Sequence, residues 1–339
     1  MYDLILSFIW AFLISIFAIP SIISVSHSKN LLDAPNNRNI HLNLTPRLGG
    51  LAIFAGFMSA LTIFGSMEAG IKNLLAGCLL LFFIGVKDDV ASVSVFKKFF
   101  VQVLASGIIM FLADIRITDF QGFLGIYELN QGTSYAFTFL VVVGITNAIN
   151  LIDGMDGLAG SILLIISITF GIYFYHLDSP YSFVAFSLAG GMLGFLRYNI
   201  YKASIFMGDT GSLVGGFIVA VLAIQFIELK ADDAAPAMAV AILAIPVFDT
   251  LKVFAIRIFK GRSPFSPDKN HIHHQLLALG LSQPAVLAVI IALNLAVVLF
   301  VNYFKDLGTN SLLGTTAVFA LVVSISLGLL QRKRLYAQS

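Results

Sequence analysis

The stretch FLVVVGITNAINLIDGMDGLAG, residues 139–160, joins an uncharged apolar run directly to two acids. Asp153 and Asp156 follow the run among glycines, in a chain that otherwise avoids charge. Acids at the end of an apolar run are costly to bury unless they are paired or bound to a cation. The stretch therefore predicts a membrane helix that ends at a polar site.

The rest of the chain is similarly apolar. Of its 339 residues, 58% are hydrophobic and 11% are charged, whereas soluble domains carry about 25% charged residues. Because lipid offers no partner for backbone amides, apolar runs of about 20 residues predict helices. We expect an all-α integral membrane protein, with residues 1–339 forming one polytopic domain of about eleven transmembrane helices. The runs lie near residues 4–25, 48–66, 71–86, 98–114, 134–149, 158–175, 180–197, 211–229, 235–258, 284–304 and 311–330.

Basic residues are distributed unevenly between the two sets of loops. Sixteen Lys and Arg fall in one set and four in the other. Cytoplasmic loops carry the basic excess, so we expect the N-terminus outside and the C-terminus in the cytoplasm. Eight of the eighteen acids then lie at the cytoplasmic face, most of them in short motifs at helix ends. Five of the six histidines lie at the same face. The net charge of +2 does not indicate a nucleic-acid partner, and a single cysteine excludes a disulfide within the chain.

Adjacent acids mark the end of the third run. Asp88 and Asp89 stand in GVKDDV, and neighbouring carboxylates repel each other unless a cation neutralises them. A divalent metal or a proton-transfer role would explain the pair. The alternative is a solvated turn balanced by Lys87.

A second polar group recurs every three residues as Asn147, Asn150, Asp153 and Asp156. Residues three apart are neighbours on a helix, so the four are expected to form one polar ladder. Oxygen ligands of this kind suit Mg²⁺ and sugar hydroxyls. The alternative is a polar helix terminus with glycine caps.

Two further acids stand near predicted helices. Asp209, in SIFMGDTGS, either caps the N-terminus of a helix or holds a metal beside amides that attract phosphate. Phe206 either packs in the core or presents its ring to a base. Asp249 is interpreted as a structural partner of Lys252, three residues later.

Cytoplasmic loops supply positive charge and imidazoles. His271, His273 and His274 follow Arg262 in the longest of these loops, and their spacing does not match the zinc motif HExxH. Imidazoles beside Arg and Lys favour phosphate binding. The first loop, DAPNNRNIHLNLTPRLGG, contributes Arg47, although a membrane-surface anchor is the alternative. We expect the polar motifs to converge in one pocket suited to phosphoryl transfer, in which positioning and neutralisation dominate.

The motifs DAPNNRNIHLNLTPRLGG, KDDV, NAINLIDGMDGLAG, FMGDTGSL and SPFSPDKNHIHHQLLALG occur in a diagnostic order. Their order resembles that of the polyprenyl-phosphate N-acetylhexosamine-1-phosphate transferase superfamily, glycosyltransferase family 4. The match runs from about residue 33 to residue 280. The forms TPRLGG and HIHH resemble the bacterial undecaprenyl-phosphate GlcNAc-1-phosphate transferase branch more than the phospho-MurNAc-pentapeptide translocase branch.

The resemblance implies transfer of a sugar-1-phosphate from a UDP-sugar to undecaprenyl phosphate, with release of UMP. It implies Mg²⁺, with Mn²⁺ as a substitute, and a site at the cytoplasmic face of the bacterial inner membrane. The product would start a cell-surface glycan such as lipopolysaccharide or teichoic acid. Which N-acetylhexosamine is used, and whether the enzyme is a homodimer, stay open.

The resemblance also implies roles for individual residues. Asp88 matches an acid that deprotonates or orients the lipid phosphate, and those two roles stay open. Ser92 stands where many members of the family carry a third acid. The remaining roles are metal binding by Asp209 and Asn150, completion of the acidic site by Asp89, Asp153 and Asp156, and substrate binding by Asn147, Phe206, Arg262, His271, His273, His274 and Arg47.

A secondary anion transporter is the alternative from another class. Transporters place polar residues near the middle of the bilayer, often on broken helices. Here the acids of the ordered motifs are all predicted at one face, which favours the transferase. Release of UMP distinguishes the two.

Overall fold

A computed structural model describes residues 1–32, 44–229, 234–263 and 270–338. These residues form helices, apart from one short β-hairpin. They divide into two compact units, the first comprising Met1–Asp119 and Glu128–Ala231 and the second Phe120–Tyr127 and Asp232–Ser339. The organisation of the whole chain as one membrane domain stays a prediction.

The apolar runs of the first unit all form helices. The helices are α1 (Tyr2–Ser28), α2 (Gly49–Phe64), α3 (Ala69–Val90), α4 (Val95–Gly107, continued by a π-helical turn at Ile108–Leu112), α5 (Gln131–Ile152), α6 (Leu158–His176), α7 (Tyr181–Asn199) and α8 (Gly208–Glu228).

Helix α8 forms the centre of the first unit. In its most apolar stretch, 89% of the residues are buried inside the protein, and it packs against α2, α3, α5 and α6. Small residues allow these close approaches. A Cβ atom at Gly216 would lie 2.9 Å from the Thr146 Cα on α5, and one at Gly85 on α3 would lie 2.5 Å from the Thr210 Cα. Small residues at helix contacts are typical of membrane bundles.

The second unit contains a broken helix. Its helices are α9 (Ala235–Ile242), α10 (Ala244–Phe259), α11 (Ile272–Ala278), α12 (Gln283–Tyr303) and α13 (Gly308–Gln338), with a 3₁₀ turn at Lys305–Leu307. Helices α9 and α10 meet at an angle of 77°. The buried Asn294 of α12 bridges the break, since its amide donates to the Ile242 carbonyl and its oxygen accepts from the Ile245 N–H, both at 3.4 Å. These contacts satisfy backbone groups that the bend leaves unpaired.

The hairpin consists of β1 (Asp119–Phe123) and β2 (Ile126–Glu128). Gly122 near the end of β1 and Gly125 in the turn both adopt positive φ. The Asn310 side chain of α13 accepts from the Leu124 N–H at 2.8 Å and donates to the Gly122 carbonyl at 3.0 Å.

The prediction of an all-α integral membrane protein is confirmed. Within the described residues, eight helices are long and apolar enough to cross a membrane, or nine if α9 and α10 are counted as one span. All eleven predicted apolar runs are helical, although α2 is short and the run at 235–258 is broken. The number of spans and the side on which each terminus lies stay predictions.

Candidate active site

Asp89, near the C-terminal end of α3, closes the N-terminus of α8. Its carboxylate accepts hydrogen bonds from the backbone N–H groups of Asp209 at 2.7 Å and Thr210 at 3.0 Å, and from the Thr210 hydroxyl. Gly208 permits this approach because its φ is +72° and a Cβ there would lie 2.6 Å from both Asp89 carboxylate oxygens. These two amides are thus already satisfied, and they do not form an open phosphate site.

Lys98 of α4 joins Asp88 to Asp209. Its Nζ lies 3.2 Å from Oδ2 of Asp88 and 2.7 Å from Oδ2 of Asp209. Asp88 also accepts from the Val93 N–H at 2.6 Å. The three charged side chains keep 16–22% exposure. The structure therefore brings two predicted acids together around one partly accessible cation.

Asn150 completes the surroundings of Asp209. Its amide Nδ2 lies 3.2 Å from Oδ1 of Asp209 and 2.8 Å from Oγ of Ser212, and it donates to both. The Ser212 hydroxyl donates to the Gly208 carbonyl at 3.0 Å. The two residues predicted to hold a metal are therefore in direct contact.

Asn147, one turn earlier on α5, is engaged by another amide. Its Nδ2 donates to Oε1 of Gln102 at 2.8 Å, and its Oδ1 accepts from Nε2 of Gln102 at 3.3 Å. Its Nδ2 also donates to the Val143 carbonyl at 2.8 Å. These bonds satisfy an amide within a membrane helix, while substrate binding by Asn147 stays a prediction.

The predicted polar ladder ends after Asn150. Helix α5 stops at Ile152, and Asp153 is its C-cap. The prediction that all four residues lie on one helix is thus wrong for Asp153 and Asp156. Gly154 and Gly157, next to these two acids, favour a break in the helix. The buried Asp156 instead accepts from the Ala203 N–H at 3.0 Å and so anchors the segment before α8.

Asp153 is the acid with the most perturbed ionisation outside the helices. Burial, with the negative charges of Asp209 and Asp89, raises the pKa of Asp153 to about 7, whereas the charge of Arg47 opposes the shift. An acid with this pKa exchanges its proton near neutral pH, as functional carboxyl groups often do.

Backbone pairing holds Phe206 and Arg47 beside the start of α8. The Phe206 N–H donates to the Pro46 carbonyl at 2.8 Å, and the Gly49 N–H donates to the Phe206 carbonyl at 2.9 Å. The Arg47 carbonyl lies directly against Gly208. Phe206 is half-buried and Arg47 is exposed. Their predicted roles in substrate binding fit these positions.

The second unit gathers the predicted histidines. His271 Nδ1 lies 2.8 Å from Asp249 Oδ2, and Lys252 Nζ lies 3.3 Å from Asp249 Oδ1. The predicted pairing of Asp249 with Lys252 is thus confirmed. The His273 ring lies between the rings of His271 and His274, with centroids 5.7 and 4.2 Å away.

His273 is buried without hydrogen bonds. Neither of its ring nitrogens has a hydrogen-bond partner among the residues that the structure describes. Burial, aided by the nearby charge of His274, lowers the pKa of His273 to about 3. Arg262 is exposed after the end of α10. The rest of the loop, residues 264–269, and much of the first loop, residues 33–43, lie outside the described residues.

Sequence reasoning missed four polar residues of the first unit. They are Lys98, Gln102, Thr210 and Ser212. Lys98 and Gln102 stand four residues apart on one face of α4, and a polar stripe on an apolar helix was the signal that could have found them. Thr210 and Ser212 carried no such signal, because hydroxyl groups are common in membrane helices.

The acids around Lys98 fit a magnesium ion. Mg²⁺ usually binds one or two carboxylates and completes its shell with water and substrate phosphates. Asp88 and Asp209 direct one oxygen each toward the same ammonium, which marks a position where a cation is stabilised. The described residues contain no group of three or more His, Cys, Asp or Glu that could hold a metal. Asp88 and Asp209 would thus supply part of the ligand set of a magnesium ion.

Comparisons with known proteins identify a family. Residues 71–227 match the model of glycosyl transferase family 4. The chain is 33% identical over 286 residues to the probable undecaprenyl-phosphate N-acetylglucosaminyl 1-phosphate transferase of Bacillus subtilis, covering 83% of this chain and 79% of the relative.

Two further relatives have similar names. The decaprenyl-phosphate N-acetylglucosaminephosphotransferase of Mycolicibacterium smegmatis is 31% identical over 86% of this chain and 80% of its own length. The undecaprenyl-phosphate alpha-N-acetylglucosaminyl 1-phosphate transferase of Yersinia pestis is 32% identical over 79% of this chain and 76% of its own length. The resemblance found in the ordered motifs is therefore confirmed, and this chain belongs to glycosyl transferase family 4.

Proposed function

We propose that this protein transfers N-acetylglucosamine-1-phosphate from UDP-GlcNAc to undecaprenyl phosphate at the cytoplasmic face of a bacterial inner membrane. The relatives, at 31–33% identity, are named for transfer to undecaprenyl or decaprenyl phosphate. The observation that carries the proposal is the ammonium of Lys98 held between Asp88 and Asp209. This contact supports the proposal that a cation lies where the two anionic reactants meet.

In the proposed reaction, one phosphorus–oxygen bond forms and one breaks. An oxygen of the lipid phosphate forms a bond to the β-phosphorus of the UDP-sugar. The bond from that phosphorus to the bridging oxygen breaks, and UMP leaves with the electron pair. Catalysis of such a transfer consists largely of positioning and neutralisation.

The carboxylates of the first unit have separate roles in this proposal. Asp88 orients Lys98 rather than acting as a general base, because a phosphomonoester with a second pKa of about 6 is already mostly ionised at pH 7. Asp89 supports the start of α8, since its oxygens accept three hydrogen bonds there. Asp209 and Asn150 would hold Mg²⁺, which when bound neutralises phosphate charge.

The three histidines at the start of α11 are proposed to bind the UDP-sugar, as the family resemblance implies; they are the N-cap His271 and the helical residues His273 and His274. The proposed membrane orientation rests on the uneven distribution of basic residues between the two sets of loops, because cytoplasmic loops carry the excess. The excess is sixteen Lys and Arg against four.

The test is a reconstituted reaction. Purified protein in detergent is incubated with undecaprenyl phosphate, Mg²⁺ and a panel of UDP-sugars that includes UDP-GlcNAc, UDP-GalNAc and UDP-MurNAc-pentapeptide. We expect UMP release with UDP-GlcNAc that requires both lipid and metal. Release only with the pentapeptide substrate would assign the protein to the translocase branch. Absence of UMP with every sugar would overturn the proposal, and uptake of labelled substrate into sealed vesicles would then favour a transporter.

A further inference from the structure

Asp249 is a buried carboxylate within the broken helix pair of the second unit. Its side chain is 3% exposed, and it lies in α10, six residues after the break at Leu243. Ionisable groups inside membrane segments are costly, and where they occur they commonly serve function. The predicted pairing with Lys252 explains part of this burial, yet Asp249 makes more contacts than that pairing needs.

Two of its contacts involve the histidine segment. Oδ1 accepts from the Ile272 N–H at 2.8 Å, and Oδ2 lies 2.8 Å from Nδ1 of His271. Ile272 is the first residue of α11, so Asp249 satisfies one of the amides that a helix start leaves unpaired. Asp249 therefore fixes both where α11 begins and how the His271 ring is turned.

The same contacts determine which nitrogen of His271 carries the proton. An ionised carboxylate can only accept hydrogen bonds. Since Lys252 and the Ile272 N–H both face Oδ1, the carboxylate is an acceptor, and Nδ1 of His271 must donate to Oδ2. In a neutral imidazole with a proton on Nδ1, the lone pair is on Nε2.

Lys252 completes the charge balance. Its Nζ contacts Asp249 and also lies 3.1 Å from Oε1 of Gln275, to which it donates. The negative charge of Asp249 is already matched by this ammonium. Among Asp249, Lys252 and His271, the charges therefore balance without a positive charge on the imidazole.

We infer that Asp249 is a positioning residue of the proposed transferase: it holds His271 with Nδ1 protonated, so that Nε2 accepts a hydrogen bond from a hydroxyl or amide N–H of the bound UDP-sugar. The inference rests on the proposed function and refines it. It assigns His271 to the donor groups of the sugar nucleotide rather than to anionic phosphate oxygens, because a lone pair does not bind an anion.

Asp249→Asn is the informative substitution. The side-chain oxygen of Asn can still accept from the Ile272 N–H, but its amide then faces His271 as a donor. The imidazole must respond by moving its proton to Nε2, where it can no longer accept from the sugar. Loss of the groups that orient metal-binding histidines costs about ten- to hundredfold in other sites.

The first measurement is independent of activity. Nitrogen NMR of protein labelled with ¹⁵N-histidine, at about pH 8 and without metal, distinguishes the two neutral tautomers. The His271 signal is identified by its loss in His271→Gln. We expect Nδ1–H in the wild type and in the control Asp306→Asn, an exposed acid away from this group, and Nε2–H in Asp249→Asn. An Nε2–H tautomer in the wild type would overturn the inference even if Asp249→Asn failed to fold.

The second measurement is kinetic. Asp249→Asn is expected to raise the KM for UDP-GlcNAc about tenfold or more, with the KM for undecaprenyl phosphate unchanged. Added to His271→Gln, it should cause little further loss, because both changes remove one interaction. Equal changes in both KM values, or fully additive losses, would mean that Asp249 is only structural. Failure of the wild type to release UMP would instead reject the proposed function.

Discussion

Each unit pairs lysine with aspartate, but at a different depth. In the first unit, Lys98 bridges Asp88 and Asp209, and the three side chains keep 16–22% exposure. In the second unit, Asp249 is 3% exposed and Lys252 14%. A partly exposed cation can be exchanged for another, whereas a buried pair is expensive to separate. The comparison supports the proposal that a metal ion can take the place of the Lys98 ammonium in the first group, whereas the second group fixes geometry.

The largest expected effect is that of Asp209→Asn on activity. Loss of one carboxylate from the exchangeable site should lower UMP release about 10²- to 10³-fold at saturating Mg²⁺, because charge stabilisation of transferring phosphoryl groups contributes that much. The matched control is Asp306→Asn, an exposed acid in the 3₁₀ turn, which should keep wild-type rates. Full activity of Asp209→Asn would show that the Lys98 group does not form the metal site.

The buried histidine of the second unit should make stability depend on pH. The pKa of His273 is lowered to about 3 in the folded protein, against about 6.5 in an unfolded chain. The unfolded state alone takes up the proton below pH 6.5, so folding stability is lost as the pH falls. Between pH 6.5 and 5 the loss is about 2 kcal/mol.

His273→Leu should remove this dependence. Denaturant unfolding in detergent, compared between the variant and the wild type at each pH, measures the difference. If the difference is independent of pH between 6.5 and 5, His273 is not held neutral by burial.

Asp153 should give the opposite dependence in the first unit. Its folded pKa of about 7 exceeds the unfolded value of about 3.9, so its contribution to stability is present at low pH and is lost as the pH rises toward 7. After allowance for solvent screening, Asp153→Asn should stabilise the metal-free protein by on the order of 1 kcal/mol at pH 8. Thermal unfolding in EDTA at pH 4.5 and 8 tests this, with the gain expected only at pH 8.

The smallest expected effect sharpens the contrast between the two lysines. Lys98→Met leaves Asp88 and Asp209 without their cation, so Mg²⁺ should bind about three- to tenfold more tightly, as judged by its effect on the unfolding temperature. Lys252→Met should leave the Mg²⁺ response unchanged. Equal responses of the two variants would show that the exposure of the pairs does not distinguish them.

The sequence predicted best those features whose residues lie within a single helix. All eleven apolar runs became helices, and the three-residue spacing of Asp249 and Lys252 predicted their contact. Each of these features depends on residues that are close in the chain. Local spacing is sufficient for such predictions.

Contacts between helices were not predictable in the same way. Lys98 lies 111 residues from Asp209 and 10 from Asp88, and in the sequence it counted only as a basic residue at the membrane surface. The end of α5 near the acids was predicted, but the three-residue spacing wrongly suggested that Asp153 and Asp156 continue its polar face. Gly157, with a φ of +73°, is instead the N-cap of α6.

The cap that Asp89 places on α8 divides the work of two neighbouring acids. A carboxylate that accepts from backbone amides has little capacity left for an ion, so Asp89 holds α3 against α8 while Asp88 faces the ammonium of Lys98. The distance between α3 and α8 is thus set before any cation arrives. The substitution Asp89→Glu, which adds one methylene, would increase the distance between α3 and α8. Asp88 and Asp209 would then lie farther apart although every charge was preserved.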